Sequence, residues 1–421
     1  MQKYYIFILL ILVFISLSAA ETKSSYPFLQ NIFNPELSLI VDTSFASSSI
    51  EDHDRVHFEI PGFTDHLHAE GKTSGFNFNY LELSFYAPVD PYFELFAVVA
   101  YEHDELEVEE AYVNTLGLPH GFNVRLGKFL SAFGRLNEQH KHYWDFYDTP
   151  LAYESILGPH GISSTGVRVF WTAPVNFYLT MGAEILQGSF DHNPTFSNDG
   201  FTFGNLIEIE SASKPSLYTA FVKSSVDRGD NVFLFGGSLF YGATRINHEL
   251  EEETNSEEDH IPHALSANGT KVFGLEFTYK RLIDSYRSIS FQTELISKNL
   301  DGDFYKIMEP GTLETASVEK ANAGIYAQVI ARFDRYGRWR TGFRYDLLFQ
   351  NKTEFSGIES VLPDNLFRCS AMVEFNPTEF SRIRLQYNYD RSKFVEGKQI
   401  TNQEILFQFN FSIGAHGAHK F

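Results

Sequence analysis

The chain of 421 residues has a formal net charge of −21, a single cysteine and an aromatic content of 16 %, with 42 Phe and 22 Tyr. The acidic balance argues against nucleic acid as a partner, and one cysteine excludes an internal disulfide framework. So many aromatic residues are unusual in a soluble globular protein, but they suit a lipid-facing surface with aromatic girdles at both membrane interfaces.

The N-terminus has the composition of a secretory signal peptide. Lys3 precedes an apolar run over residues 4–17, which ends in Ser18, Ala19 and Ala20, so we expect cleavage after residue 20. The run is shorter than the roughly 20 residues of a transmembrane helix, which disfavours an uncleaved anchor. Residues 1–20 are therefore predicted as a signal peptide and residues 21–36 as a periplasmic segment. No second apolar run is long enough to span a bilayer as a helix, so membrane insertion would require a β-barrel.

Alternating apolar and polar residues predict about sixteen β-strands, within a range of 14–18. The last strand shows the pattern most clearly, because Ile405, Phe407 and Phe409 alternate with Glu404 and Gln408. The predicted strands cover residues 37–45, 76–87, 92–102, 106–116, 122–130, 165–171, 177–186, 216–226, 232–244, 270–279, 289–298, 320–333, 339–349, 366–375, 381–389 and 402–413.

The connections between these strands alternate between long and short, with one short exception at residues 103–105. Outer-membrane barrels have this asymmetry, with long extracellular loops and short periplasmic turns, whereas a soluble β-sandwich has no reason for it. The predicted fold class is therefore all-β, a closed antiparallel transmembrane β-barrel over residues 37–413. Its apolar face would contact lipid and its polar face would line a wet lumen.

The third outer loop, residues 131–164, interleaves aromatic and charged residues, and porins of this size commonly fold their third loop into the lumen. We predict a constriction formed by acids of this loop and by arginines on the inward faces of strands twelve to fifteen. Acids on one wall and arginines on the other would set a field across the pore. Alternatively, the arginines pair locally with Asp346 and Glu374. The predicted constriction residues are Glu138, Asp145, Asp148, Glu154, Arg332, Arg340, Arg344, Arg368, Arg382 and Arg384.

The 15 histidines of the chain suggest a metal site as a second possibility. His140 and His142 share one face of an extended segment, and with Asp145 they could supply the nitrogen and oxygen ligands of zinc. Ordinary hydrogen bonding in a loop is the alternative. The acidic loop 245–269 offers a weaker cluster, for which a solvated loop is the favoured interpretation, and its histidines are His248, His260 and His263. Catalytic motifs such as G-x-S-x-G and H-E-x-x-H are absent, so no enzymatic activity is expected.

Several stretches resemble a group of largely uncharacterised Gram-negative outer-membrane proteins known as zinc-regulated TonB-dependent outer membrane receptors. The most specific is LPHGFNVRLGKFLSAFGRLNEQHKHYWDFYDTPL at 118–151, and weaker matches are Pro61-Gly62-Phe63, VEEAYV at 108–113 and GAHGAHKF at 414–421. The resemblance implies a barrel linked to zinc or a zinc complex. A TonB-dependent receptor would also need a large N-terminal plug, for which we expect no room before the first strand.

These observations together predict a porin-like channel for passive or selective diffusion of small solutes or ions in the outer membrane of a Gram-negative bacterium. Uptake of zinc or a zinc complex without a plug is the alternative, and an adhesin or structural barrel is a third. Zinc would be a ligand or cargo, and no other cofactor is expected. Expected partners are membrane lipid, lipopolysaccharide, a second and third copy in a homotrimer, and the barrel assembly machinery, which would read the terminal Phe421. Residues 414–421 either extend the last strand or form a histidine-containing tail.

Overall fold

The computed structural model describes residues 35–55, 58–63, 73–102, 105–188, 193, 195–248, 262–308, 311–395 and 397–414. The predicted signal peptide, residues 21–34 of the predicted periplasmic segment and the tail 415–421 with Phe421 lie outside the described residues. His260 lies outside them as well.

Sixteen antiparallel strands form one closed barrel. Each strand pairs with its neighbour in the chain, and β1 also pairs with β16, from Ser38 opposite Gly414 to Ser48 opposite Glu404. The strands are β1 Glu36–Ser48, β2 Gly75–Asp90, β3 Phe93–Glu102, β4 Glu105–Thr115, β5 Phe122–Leu130, β6 Ser163–Thr172, β7 Tyr178–Leu186, β8 Leu217–Arg228, β9 Asn231–His248, β10 His263–Leu282, β11 Ser288–Met308, β12 Thr312–Arg332, β13 Trp339–Phe355, β14 Leu366–Thr378, β15 Ser381–Asp390 and β16 Asn402–Gly414.

Burial along the strands is inverted relative to a soluble protein. In β16, Ile405 and Phe411 are 50 % and 51 % exposed, whereas Glu404 and Asn410 are only 9 % and 8 % exposed. The apolar face of the sheet therefore points outward and the polar face encloses the interior, as in an outer-membrane barrel. The predicted fold class is confirmed, including the closure of the first strand on the last.

Five consecutive strands are markedly longer than the sequence pattern indicated. β9 to β13 contain 18, 20, 21, 21 and 17 residues. The long loop predicted over residues 299–319 is wrong, because β11 and β12 pair from Ser288 opposite Arg332 to Met308 opposite Thr312. The extension is stabilised by its own small apolar cluster on the inward face, formed by Leu265, Ala267, Leu300 and Val318.

Helical structure is limited to short segments among the described residues. α1 spans Asp52–Arg55 and α2 spans Leu151–Leu157. α2 begins after Pro150 and ends at Gly158, whose φ of 83° is a conformation that glycine adopts without steric cost. Within the described part of the chain, no helix is long and apolar enough to cross a bilayer.

Candidate functional site in the barrel lumen

The connection between β5 and β6, residues 131–162 (loop 3), lies inside the barrel. Its side chains and backbone contact inward-facing residues on most of the surrounding wall, from Glu82 of β2 and Glu184 of β7 to Glu294 of β11 and Gln386 of β15. The structure therefore shows loop 3 folded into the lumen, as the constriction hypothesis requires. The loop narrows the lumen.

Carboxylates on the wall hold the backbone of loop 3. Glu294 accepts hydrogen bonds from the backbone N–H of Arg135 at 2.8 Å and of Leu136 at 3.1 Å, and also from the hydroxyl of Tyr153 at 2.7 Å. Glu184 accepts from the N–H of Ala132 at 2.9 Å. A buried backbone N–H without a partner is costly, so these two acids on the inward face fix the course of the loop.

The centre of loop 3 packs as an apolar core within the lumen. Leu151, Ile156 and Leu157 of α2 are fully buried, and the ring of Phe133 stacks on Phe240 of β9 with centroids 4.4 Å apart. Glycine on the wall makes this close approach feasible, because a Cβ at Gly274 of β10 would lie 2.6 Å from the Phe133 ring. This part of the lumen is filled by side chains.

Arginines of β13 and β14 contact the acids of loop 3 directly. Arg344 lies 3.1 Å from Asp148 and 2.9 Å from Asp346 of its own strand. Arg368 lies 3.1 Å from Asp148 and 3.3 Å from Glu154. We call this set the arginine wall, and its further members are Arg340, Arg382, Arg384, Asp145 and Glu374.

This pairing bears on both alternatives for the constriction. Asp145 pairs with Arg340, and Arg340 and Arg384 also pair with Glu374 at 2.9 Å and 2.7 Å. Guanidinium groups of the wall therefore contact acids of loop 3 and also pair locally with Asp346 and Glu374, as the second alternative states. A field across the pore stays a prediction.

Two predicted constriction residues lie outside the arginine wall. Glu138 pairs with Arg168 of β6 at 2.9 Å and with Lys223 of β8 at 2.5 Å, so it is held on another part of the barrel. Arg332 is on the inward face of β12, at the end near the turn to β13, where its side chain is exposed. Arg332 therefore faces water below loop 3.

A second charged region surrounds the two histidines of loop 3. Nδ1 of His140 lies 2.9 Å from Glu109 and 3.9 Å from Glu82, and its Nε2 lies 2.9 Å from Glu110. Nδ1 of His142 lies 3.1 Å from Glu82. We call these five residues the carboxylate corner. The ring planes of His140 and His142 are nearly parallel, with centroids 5.7 Å apart.

A β-bulge creates the carboxylate corner. Adjacent residues of a regular strand point to different faces, but Val98 pairs with Glu110 and Val99 pairs with Val108, which leaves Glu109 as the extra residue of β4. A bulge of this kind redirects a side chain. Both Glu109 and Glu110 can therefore reach the imidazole of His140. Sequence alternation alone could not find them, although the strand VEEAYV was singled out by resemblance.

Three predicted metal ligands lie elsewhere. Asp145 contacts Arg340 and Gln328 rather than the histidines, so the expectation that it completes a site with His140 and His142 is wrong. His248 and His263 pair across β9 and β10 at the extracellular end, with ring centroids 5.0 Å apart.

The pKa values of two loop 3 groups follow from these surroundings. Burial lowers the pKa of His140, but Glu82 and the hydrogen bonds to Glu109 and Glu110 outweigh it and raise the pKa well above the ordinary value. Both ring nitrogens can then donate, as two carboxylate partners require. Burial raises the pKa of Glu154, but Lys393 and Arg368 outweigh it, so this pKa is lowered.

Loop 1, between β1 and β2, lies across part of the extracellular mouth. Phe58, Ile60 and Phe63 are buried in the same apolar cluster as loop 3. The side-chain amide of Asn351 on β13 donates to the carbonyl of Pro61 at 2.7 Å, which joins this segment to a strand four positions around the barrel from β1. Loop 1 therefore narrows the mouth above loop 3.

Comparison with known proteins gives one relative in sequence and several in fold. No protein-family model matches the chain. An uncharacterized protein of Aquifex aeolicus (strain VF5) is 46 % identical over 400 residues, which cover 94 % of this chain and 81 % of that protein.

Among solved structures, in-vitro folded OmpT, an outer membrane protein of Vibrio cholerae, matches with a TM-score of 0.51 and 11 % identity, covering 90 % of this chain and 97 % of that one. OprB of Pseudomonas putida matches with a TM-score of 0.51 and 10 % identity, covering 92 % and 95 %. At such low identity the likeness concerns the fold, which is that of outer-membrane porin barrels.

Proposed function

The chain belongs to the same family as this Aquifex aeolicus protein, and we propose that it is an outer-membrane channel for small solutes or ions in a Gram-negative bacterium. The observation that carries the proposal is the inverted burial of a closed barrel whose third loop crosses the lumen. Lipid-facing aromatics require a bilayer, and a charged, narrowed interior selects what passes. The channel is non-enzymatic.

The packing of loop 3 bears on the kind of channel. Its apolar centre fills part of the lumen, and loop 1 narrows the mouth above it. The route left for water therefore passes charged residues around loop 3, such as Arg340 and Glu138, whose side chains remain 17 % and 31 % exposed. We expect a small, selective conductance rather than the wide conductance of a general diffusion pore.

Single-channel recording in planar bilayers tests this proposal. The refolded protein, in potassium chloride with a chelator present, should give discrete current steps. Glu294→Gln, which weakens the hold on the backbone of loop 3, should give larger steps, whereas Glu379→Gln in the turn between β14 and β15 should match the unaltered protein. Absence of any current from all three proteins, each folded, would contradict the proposal.

Uptake of zinc or a zinc complex is a second candidate function, and the carboxylate corner favours it. Imidazole nitrogen and carboxylate oxygen are common zinc ligands, and here they lie in the lumen of a barrel. The resemblance to zinc-regulated receptors supports the same candidate. Proteoliposomes loaded with a zinc-sensitive dye should show saturable zinc entry if this function holds. Entry that rises linearly with zinc concentration would contradict it.

The assembly state is part of the proposal. OmpT of Vibrio cholerae, whose fold this chain shares, has been solved in a trimer form. We propose a homotrimer surrounded by lipid and lipopolysaccharide, and mass measurement of the detergent-extracted protein tests it. A single-chain mass after mild extraction would contradict the trimer.

A further inference from the structure

We propose that Glu82, Glu109 and His140 bind one divalent transition-metal ion, and that this ion clips loop 3 to β2 and β4. The proposal rests on the proposed channel function in one respect. Loop 3 is the proposed constriction, so an ion that fixes this loop would also fix the width of the channel. It names a resident site for an ion, which is a different role from cargo.

The donor atoms are already gathered. One oxygen of Glu82, one oxygen of Glu109 and one ring nitrogen of His140 lie within 4.8 Å of one another. A tetrahedral ion with ligand bonds of about 2.0–2.2 Å holds its donors roughly 3.3 Å apart. The present separations from Nδ1, 2.9 Å to Glu109 and 3.9 Å to Glu82, bracket that spacing, so small side-chain rotations suffice.

The remaining contacts of these residues resemble the second shell of a metal site. A histidine that binds metal through one nitrogen usually donates its other N–H to a carboxylate. Here Nε2 of His140 lies 2.9 Å from Glu110, and Glu110 is itself held by the backbone N–H of Leu130 at 2.9 Å. His142 holds the carboxylate of Glu82 at 3.1 Å in the same way. Each of these contacts orients a ligand.

The charge of the corner also favours a cation. Three carboxylates surround the imidazole of His140, and the adjacent Lys141 is engaged with Glu102 at 2.8 Å. Arg125, Lys141 and His160 lie within electrostatic reach of Glu109 or Glu110. The side chain of Arg125 is stacked over the ring of Tyr112, 3.8 Å from its centre, and donates to Asn114 at 2.9 Å. A divalent ion would offset the excess of buried negative charge.

The donor set indicates the class of ion. Metal binding would release the proton on Nδ1 of His140. The imidazole that remains, with two carboxylates, suits zinc, cobalt or manganese better than calcium or magnesium, which take oxygen ligands. Three protein ligands leave a fourth position for water or a solute. Glu109, with a side chain 25 % exposed against 6 % for Glu82, marks the side from which the ion would enter.

Calorimetric titration of the full-length protein in detergent with zinc chloride tests the site. We expect one ion per chain with an affinity in the micromolar range or tighter. His140→Gln and Glu109→Gln should each weaken binding at least tenfold, whereas His120→Asn, which removes a histidine from the turn between β4 and β5, should leave it unchanged. Heat-modifiable migration in gels verifies that each variant remains a folded barrel.

Several results would overturn the proposal. One is unchanged stoichiometry and affinity in a folded His140→Gln or Glu109→Gln protein. Another is loss of the site in His263→Gln, which would place it at the extracellular rim. The proposal would also be overturned if the cobalt-loaded protein and its His140→Gln variant had the same visible spectrum. Calorimetry detects metal binding whether or not the protein conducts. Recordings in the presence of a chelator detect the channel whether or not the protein binds metal. Failure of the metal site and failure of the channel are therefore distinguishable.

Discussion

The arginine wall and the carboxylate corner both hold loop 3, but they do so with different charge balances. In the wall, Asp145, Asp148 and Glu154 of the loop meet guanidinium groups that the barrel's own Asp346 and Glu374 also contact. In the corner, three carboxylates converge on the imidazole of a single histidine. The wall therefore has its charges matched within the protein, whereas the corner has a surplus of acid that an added cation would complete.

This difference assigns separate roles to the two regions. Buried charges that are fully paired keep a loop in place but give no net affinity for a ligand. An excess of buried carboxylates destabilises the folded protein, and a bound cation would relieve this cost. A cluster of this kind therefore has affinity for cations. Loss of a charged partner is therefore expected to destabilise the protein at the arginine wall, whereas added metal is expected to stabilise it at the carboxylate corner.

The largest effect is expected from Arg344→Met in the wall. Arg344 is 1 % exposed and contacts Asp346, Asp148 and the carbonyl of Asp148. Its removal leaves Asp346 buried with less compensation, and breaking such a pair costs about 3–5 kcal/mol. Denaturant unfolding in detergent should show this loss in the free energy of unfolding. Arg335→Met in the exposed turn before β13 is the matched control, and equal stability of the two variants would contradict a structural role for the wall.

In the corner, added zinc should stabilise the protein. An ion present at 100 times its dissociation constant raises the free energy of unfolding by about 2.7 kcal/mol if it binds only the folded state. Thermal unfolding with zinc and then with a chelator measures this gain. The gain should disappear in His140→Gln and persist in Arg344→Met. If zinc still stabilises the His140→Gln protein, the carboxylate corner is not the metal site and the proposed difference between the two regions is wrong.

An intermediate effect is expected from Glu294→Gln. Glu294 belongs to neither region, and it holds loop 3 through the backbone. Glu294 accepts from Arg135, Leu136, Tyr153 and Tyr326, and hydrogen bonds to a charged group contribute about 1.5–3 kcal/mol. We expect a loss of about 2 kcal/mol and faster protease cleavage within loop 3. Cleavage at the rate of the unaltered protein would mean that Glu294 is not needed to hold the loop.

The barrel could be predicted because its signal is local. Alternation within one strand places Phe343 outward and Arg344 inward without knowledge of any partner, and each predicted strand has a counterpart in the structure. The extensions of β9 to β13 were missed because their polar sequences resemble loops, and pairing between neighbouring strands, such as Gly302 with Val318, reveals them.

The candidate site could be predicted only in part, because its contacts join distant segments. The histidines of loop 3 were found from their spacing, but Glu82 is 60 residues from His142 and Glu109 reaches the site through a bulge that breaks the alternation. The same limit explains the error over Asp145. Proximity in sequence suggested His142 as its neighbour, whereas the fold places it on Arg340, 195 residues away.

The smallest effect is expected at the edge of the wall, where Glu154 pairs with Lys393 at 2.7 Å and with Arg368 at 3.3 Å. Because its pKa is lowered in the folded state, this group stabilises the protein fully above its ordinary value of 4.5, and the contribution is lost as the pH falls through the lowered pKa. Glu154→Gln should therefore cost about 1 kcal/mol at neutral pH and progressively less in acid, since the Glu154 side chain is 19 % exposed and Arg368 keeps Asp148 and Asp346 as partners. Unfolding curves of both proteins at several pH values measure the difference. A difference that stays constant into strong acid would show that Glu154 acts through packing, and the wall would then depend on charge matching less than the corner does.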